Sequence, residues 1–459
     1  MSYNFKPHGV EQVYLLPPSI LDWVRREGLA RFIYDTMTML EEKGKLKDFY
    51  KEYAENGVGG AAYHPVMILC VLLYGYCIGI TSSRKLAEAL EGDVNFRFLS
   101  GNQQPDFRTL SDFRKKHIER FEQLFVHVLQ LCIEVGLAKV GRVALDGTKI
   151  EANASLKQNR TKEGLEKEVK KILEEAEKVD REEDEKFGKE KRGDELPEEL
   201  QNPSERLERL KRAQRILEER EAAQKQKQQE KIEAREQEEK ETGKKKRGRK
   251  PKPPEEAVDK EKKANMTDPD SRIQKTRSGR YIQGYNAQAG VDTESQVIVG
   301  QSVTEEENDL HQLEPMVDTI AAQAGKKPDE LLADAGYSTE PNLELETEEM
   351  EFFIPGNKDW KRRREEKEKG SPRGRFPKNM SKKQRMARKL RTKRGKEIYK
   401  HRGKSVEPVF GQIKEPDIQG FNRFRLRGKP KVKGEWSLVC TGHNIMKLFR
   451  SGMMKQRPA

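Results

Sequence analysis

From Leu156 to Ala264 the chain is dominated by Glu, Lys, Arg and Gln, and Phe187 is its only aromatic residue. A segment of that make-up cannot bury enough apolar surface to build a core of its own. Any globular fold must therefore be assembled from the residues on either side of it. Within the segment, LEKEVKKILEEAEKV and ERLERLKRAQRILEEREAA space Leu, Ile and Val three and four residues apart among charges. That spacing predicts amphipathic helices or a short coiled-coil hairpin, with most charges solvated. Pro197 and Pro203 interrupt the run between the two pieces. Residues 156–265 are thus expected to form a charged helical insertion.

The chain of 459 residues is 34% hydrophobic and 37% charged, with a net charge of +13. An excess of that size points to a polyanionic partner, nucleic acid before an anionic membrane. Its location is more telling than its size. Lys358–Ile398 holds 19 Lys and Arg against 5 Asp and Glu, a local balance of 19 − 5 = +14 that accounts for the whole excess. Like charges packed this densely repel unless phosphates screen them. Residues 358–395 are therefore expected to contact DNA, with Arg362, Arg363, Arg364, Lys382 and Lys383 as candidates; a disordered basic stretch is the alternative. KKKRGRKPKPP (Lys244–Pro254), at the end of the insertion, has two equal readings. It is a flexible basic linker or an AT-hook-like segment whose Arg247 and Arg249 enter a narrow minor groove.

Cys70, Cys77, Cys132 and Cys440 lack the close pairing of a zinc site and read as core residues in a reducing compartment. Met1–Gln12 is mixed and polar, unlike a secretory signal. HPVMILCVLLYGYCIGI (His64–Ile80) is shorter than a membrane span and predicts a buried helix. A cytoplasmic protein without a membrane partner is expected. Residues 1–140 predict an all-α N-terminal domain, with Asp106 and Ser111 as helix caps. It reads as a DNA-binding domain of helix-turn-helix character or as a plain packing bundle.

Beyond the insertion the texture turns to strands. RYIQGYNAQAGVD and SQVIVGQSVT predict an antiparallel pair. DLHQLEPMVDTIAAQAG has helical spacing, ELLADAGYS is a short apolar strand ending in Asp334, and MEFFIPG is a further strand. Before the insertion, VALDGTKIEANAS is an apolar run ending on Asp146. In order these are a strand with an acid, two paired strands, a helix, a strand with an acid, a helix and a strand. That order fits a mixed sheet of the ribonuclease H type flanked by helices, and also a generic α/β domain. A core of residues 141–155, 266–357 and 396–452 is expected. YKHRGKSVEPVFGQIK (Tyr399–Lys414) adds Glu407 on a helical pattern whose apolar face is Val406, Val409, Phe410 and Ile413. Asp146, Asp334 and Glu407 converging on one sheet edge would repel one another. Two Mg²⁺ ions, with Mn²⁺ able to substitute, would relieve that and serve phosphodiester chemistry.

These blocks resemble the DDE transposases of bacterial insertion sequences. The likeness is to the superfamily with a Tyr–Arg–Glu–Lys signature and, within it, the group numbered eleven eighty-two. LDGTKIEANAS, LLADAGYS and YKHRGKSVEPVFGQIK resemble its three acid blocks. PDFRTLSDFRKKH resembles its N-terminal helical domain, EEENDLHQLEPM its central region and FRLRGKPKVKGEWSLVCTGHNIMKL its C-terminal end. The signature maps to Tyr399, Arg402, Glu407 and Lys414. Six residues separate Glu407 from Lys414 as the pattern expects, but four separate Arg402 from Glu407 where it usually has three. The resemblance implies Mg²⁺-dependent cleavage of double-stranded DNA at transposon ends and 3′-hydroxyl transfer into target DNA. It also implies a homodimer on DNA, DNA contacts from Tyr399, Arg402 and Lys414, and a bacterial protein found at the nucleoid when DNA-bound. A nuclease without strand transfer and an inactive transposase-derived DNA-binding protein are the alternatives.

Overall fold

The computed structural model describes residues 19–53, 60–171, 202–243, 250–256, 263–276, 278–356 and 379–456, with 371, 372, 374 and 377 as isolated points. Arg247, Arg249, Arg362, Arg363 and Arg364 lie outside the described residues, as does most of the AT-hook-like segment.

The N-terminal region is helical: α1 (Ile20–Trp23), α2 (Leu29–Glu42), α3 (Pro65–Cys77), α4 (Ser83–Gly92), α5 (Val94–Leu99), α6 (Phe107–Lys116) and α7 (Arg120–Glu134). The apolar run His64–Ile80 becomes α3, in which 12 of 13 residues are buried, so the helix must be surrounded by other elements. Among the described residues no helix is long and apolar enough to cross a membrane. Asp93 and Asp106 start α5 and α6 by accepting backbone N–H groups, from Asn95 at 2.8 Å and from Thr109 at 2.6 Å. Ser111, expected as a cap, lies inside α6, because Asp106 has already satisfied the orphan donors five residues earlier.

The sheet contains β1 (Arg142–Glu151), β4 (Arg272–Lys275), β5 (Tyr281–Asp292), β6 (Ile298–Thr304), β7 (Glu330–Ala333) and β8 (Glu351–Phe353). A separate short ribbon pairs β2 (Asn159–Arg160) with β3 (Ala264–Asn265). The strand order is β4-β5-β1-β7-β8. On the edge of β5 away from β1, β4 pairs its first residues and β6 pairs its later ones. β1 runs antiparallel to β5 and parallel to β7, which is parallel to β8, so the sheet is mixed. Against it pack α9 (Leu313–Ala324), α12 (Lys393–Lys414) and α13 (Lys429–Ser451); α11 (Lys382–Arg391) lies beside β8 and α12, and α10 (Glu340–Glu344) packs on α11. The sequence pattern missed β4, whose RIQK carries one apolar residue and is held mainly by backbone pairing to β5.

One apolar core runs from Ile33 and Leu72 in the helical region through Leu145 and Val291 in the sheet to Leu438 in α13. α13 packs on α3, α7 and β6 together, so the helical region and the sheet share a single interior. The cysteines are all buried and reduced, as expected of core residues.

The insertion is rooted where the β2–β3 ribbon zips its two ends together. Its helix α8 (Asn202–Thr242) has 41 residues, about 60 Å at helical rise. Its first half is anchored: Leu210, Ala213 and Leu217 pack with Leu165 and Ala264 in a small second core, Arg212 pairs with Asp270 at 2.8 Å, and Arg220 donates to the Pro269 carbonyl at 3.2 Å; farther along, Gln228 donates to the Lys252 carbonyl at 2.7 Å.

Candidate active site

Asp146 does not end its strand. β1 continues to Glu151 because β5 remains paired to it throughout. What ends at Leu145 is the pairing with β7, whose last partner is Ala333. In that parallel register the next residues are Asp146 and Asp334, so both acids emerge where the two strands part, at the carboxyl end of the pair. Ligands of open α/β sheets bind in this kind of crevice. Asp146 is buried, with its side chain 4% exposed. Asp334 closes β7 and accepts the Gly336 N–H at 2.5 Å, which turns Ala335–Tyr337 into a single helical turn.

Glu407 comes from α12. The helix buries Ile398, Arg402, Ser405, Val406, Val409, Phe410 and Ile413, a stripe at three- and four-residue spacing that includes the whole apolar face expected from the sequence. Glu407 lies beside that stripe, its side chain 49% exposed. Pro408 removes the N–H that would bond the Lys404 carbonyl, and Gln296 Nε2 donates to that carbonyl at 2.9 Å instead. The helix thus keeps its course through the proline beside Glu407.

Asp146, Asp334 and Glu407 line one cavity of about 650 Å³, together with Lys149, Asp309 and Lys414. Arg402 bridges two of the acids: Nη2 donates to Asp146 at 2.8 Å and Nη1 to Glu407 at 3.3 Å. Burial would lower the guanidinium pKa, but Asp146, Asp334 and Glu407 outweigh it and raise the value, so Arg402 stays cationic. The extra residue between Arg402 and Glu407 therefore does not keep their side chains apart. Lys414 Nζ donates to Thr148 Oγ1 at 2.6 Å and to the Lys149 carbonyl at 3.0 Å, on the cavity wall. Burial lowers the Lys149 pKa, opposed by Asp309, Glu307 and Asp146. Tyr399 is half-buried against the core.

Lys382 and Lys383 open α11, behind a Ser381–Gln384 capping box, with Lys382 exposed and Lys383 half-buried. Part of the basic stretch is spent internally: Lys389 pairs with Glu346 at 2.5 Å and Arg394 with Glu330 at 2.8 Å. Asp309 was not legible in the sequence. It sits in an acidic run before α9, where an acid looks like a helix-start residue, and nothing local sets it apart.

The carboxylate oxygens are hard donors of the kind divalent cations take. Among the described residues no group of three or more acidic, histidine or cysteine side chains stands close enough to hold a metal ion as it is. Arg402 spans the space between Asp146 and Glu407, and a metal would take over part of its role.

The mixed sheet thus gathers carboxylates and lysines around one cavity, and two family matches give the class of protein that carries it. Residues 251–445 match the Transposase DDE domain, and residues 22–116 match the Transposase domain (DUF772). No curated protein and no solved structure matches the chain. The chain carries two transposase domains of the kind typical of the DDE transposases of bacterial insertion sequences. The first match takes in Asp334 and Glu407, while Asp146 lies between the two matched segments.

Proposed function

We propose that this transposase cuts DNA at the ends of a mobile element and joins the freed 3′-hydroxyl groups to target DNA. Asp146, Asp334 and Glu407 are its catalytic acids, on a ribonuclease H-like core. One observation carries the reading: three acids, separated in sequence by 334 − 146 = 188 and 407 − 334 = 73 residues, line a single cavity. Two Mg²⁺ ions, or Mn²⁺ in their place, would supply an activated oxygen nucleophile and stabilise the leaving oxygen of a phosphodiester. The chain's own residues set the stage for that. Arg402 neutralises Asp146 and Glu407 and releases them when a stronger cation arrives. Lys414 and Lys149 present positive charge to a phosphate at the cavity mouth, and Tyr399 stands one helical turn from Arg402. The helices of residues 1–140 add DNA contacts, and two copies act together on paired ends. The group numbered eleven eighty-two remains the best placement within the superfamily.

The test is an end-containing duplex incubated with the full chain, Mg²⁺ and a supercoiled target. Nicking at the element end and covalent joining to the target are expected. Nicking without a joined product would favour a nuclease of the same architecture, and neither product would favour a DNA-binding relative.

The basic segment gives a separate expectation. Neutralising Arg362, Arg363, Arg364, Lys382 and Lys383 together should flatten the dependence of log binding constant on log salt by about 0.9 for each phosphate no longer neutralised. A slope equal to that of the wild type would remove this segment from the DNA interface.

A further inference from the structure

Asp309 lies in the turn between β6 and α9 and lines the same cavity as the three acids. Its Oδ1 accepts two buried side-chain amides, Asn286 Nδ2 at 2.8 Å and Gln288 Nε2 at 2.7 Å. The Gln288 amide is oriented from behind by the hydroxyl of Tyr337, which donates to Oε1. Burial, then the charges of Asp309, Asp146 and Asp334, raise the Tyr337 pKa far above its ordinary value and keep that donor protonated. Asp309 is therefore held by a built polar scaffold on two neighbouring positions of β5.

The glycines of the two aspartate blocks show where its carboxylate points. A Cβ on Gly147 would fall 2.7 Å from Asp309 Oδ1 and 2.2 Å from Gln288 Nε2. A Cβ on Gly336 would fall 2.6 Å from Asp334 Oδ1 and 3.6 Å from Asp309 Oδ2. One oxygen of Asp309 thus faces the residue after Asp146, and the other faces the turn that Asp334 caps. Only glycine at both positions leaves that space open. A second observation points to a ligand there. Asn286 is fully buried, yet its Oδ1 has no hydrogen-bond partner and would lie 2.7 Å from a Cβ on Gly147. A buried acceptor left open beside three carboxylates is the mark of a missing donor, such as water carried on a cation.

We propose that Asp309 is a fourth carboxylate of the site and that, once Arg402 gives up Asp146 and the carboxylates draw together, it binds a divalent cation with Asp146 and Asp334. The inference rests on the metal-dependent reading above. Asp309→Asn keeps the acceptor for the two amides and removes the charge. Mn²⁺ binding to the full chain without DNA, followed by electron paramagnetic resonance, should weaken about tenfold or more in this variant, as for a disturbed metal shell. Asp146→Asn, measured alongside, separates the two readings. If Asp146→Asn weakens Mn²⁺ binding and Asp309→Asn does not, the fourth-ligand proposal is wrong while the metal site stands. If neither weakens it, the metal site itself is wrong. Asp309→Ser, smaller but still an acceptor, replaces the asparagine variant if that variant melts early. Early melting of both without metal would make Asp309 a structural residue and overturn the proposal.

Discussion

Replacing Asp146, Asp334 or Glu407 with alanine, one at a time, is expected to slow DNA end cleavage about 10³-fold or more, because residues that act as a unit fail together. The three variants should differ in stability, and the difference makes the test informative. Glu407 is half exposed and gives up only its pairing with Arg402, so Glu407→Ala should melt close to the wild type. Asp146 is buried against Arg402, and its removal leaves a guanidinium in a site built to balance it. Asp146→Ala should therefore lose about 3 kcal/mol or more of folding stability, and Asp146→Asn less. Asp334→Ala removes the acceptor for the Gly336 N–H, which costs about 1 kcal/mol. Cleavage is measured on a labelled end duplex and stability by urea titration. A folded variant that cuts at the wild-type rate would remove that acid from the site.

The second large effect is expected at a residue outside the cavity lining. Glu435 on α13 is fully buried. Its Oε1 accepts the Tyr76 hydroxyl of α3 at 3.1 Å, and its Oε2 accepts the backbone N–H groups of Arg425 at 2.9 Å and Leu426 at 3.0 Å. Tyr76 in turn accepts from Arg114 of α6 at 3.1 Å, and the same guanidinium donates to the Thr81 carbonyl at 2.9 Å. Burial raises the Glu435 pKa, and Arg114 with the two backbone donors opposes the rise. One carboxylate thus joins α3, α6, α13 and the chain leading into α13. Glu435→Ala would strand these donors in a dry interior and should cost about 3–5 kcal/mol. Tyr76→Phe breaks the relay at one link and should cost about 1–1.5 kcal/mol. In urea the midpoint should fall with the slope unchanged. A Glu435→Ala midpoint equal to the wild type would mean that the network carries no net stability.

Much of this was legible from local pattern. The β-branched run in SQVIVGQSVT and the helical spacing around Glu407 each depend on residues a few positions apart. The structure accordingly has β6 and α12 where those patterns lie. The order of the elements and the three acids came from reading those pieces in sequence. Ser111 shows the limit of the same reasoning, since a capping residue type is common and only the backbone shows where the helix begins. β4 was missed because a short polar strand is defined by the neighbour it pairs with.

The sequence by itself determined that the low-apolar insertion leaves the fold to be built from its flanks, and where strands, helices and charge concentrate. Those are consequences of what each segment can bury and of the period at which it does so. Tertiary structure alone decided the rest. The parallel register Leu145–Ala333 brings Asp146 and Asp334 to the same strand end. Arg402 reaches Asp146 across 256 residues of chain, and Asp309 comes to lie over Gly147 and Gly336. Tyr76 meets Glu435 across 359 residues. A charged side chain carries no period that names its partner; it is placed by the packing of the elements that bear it.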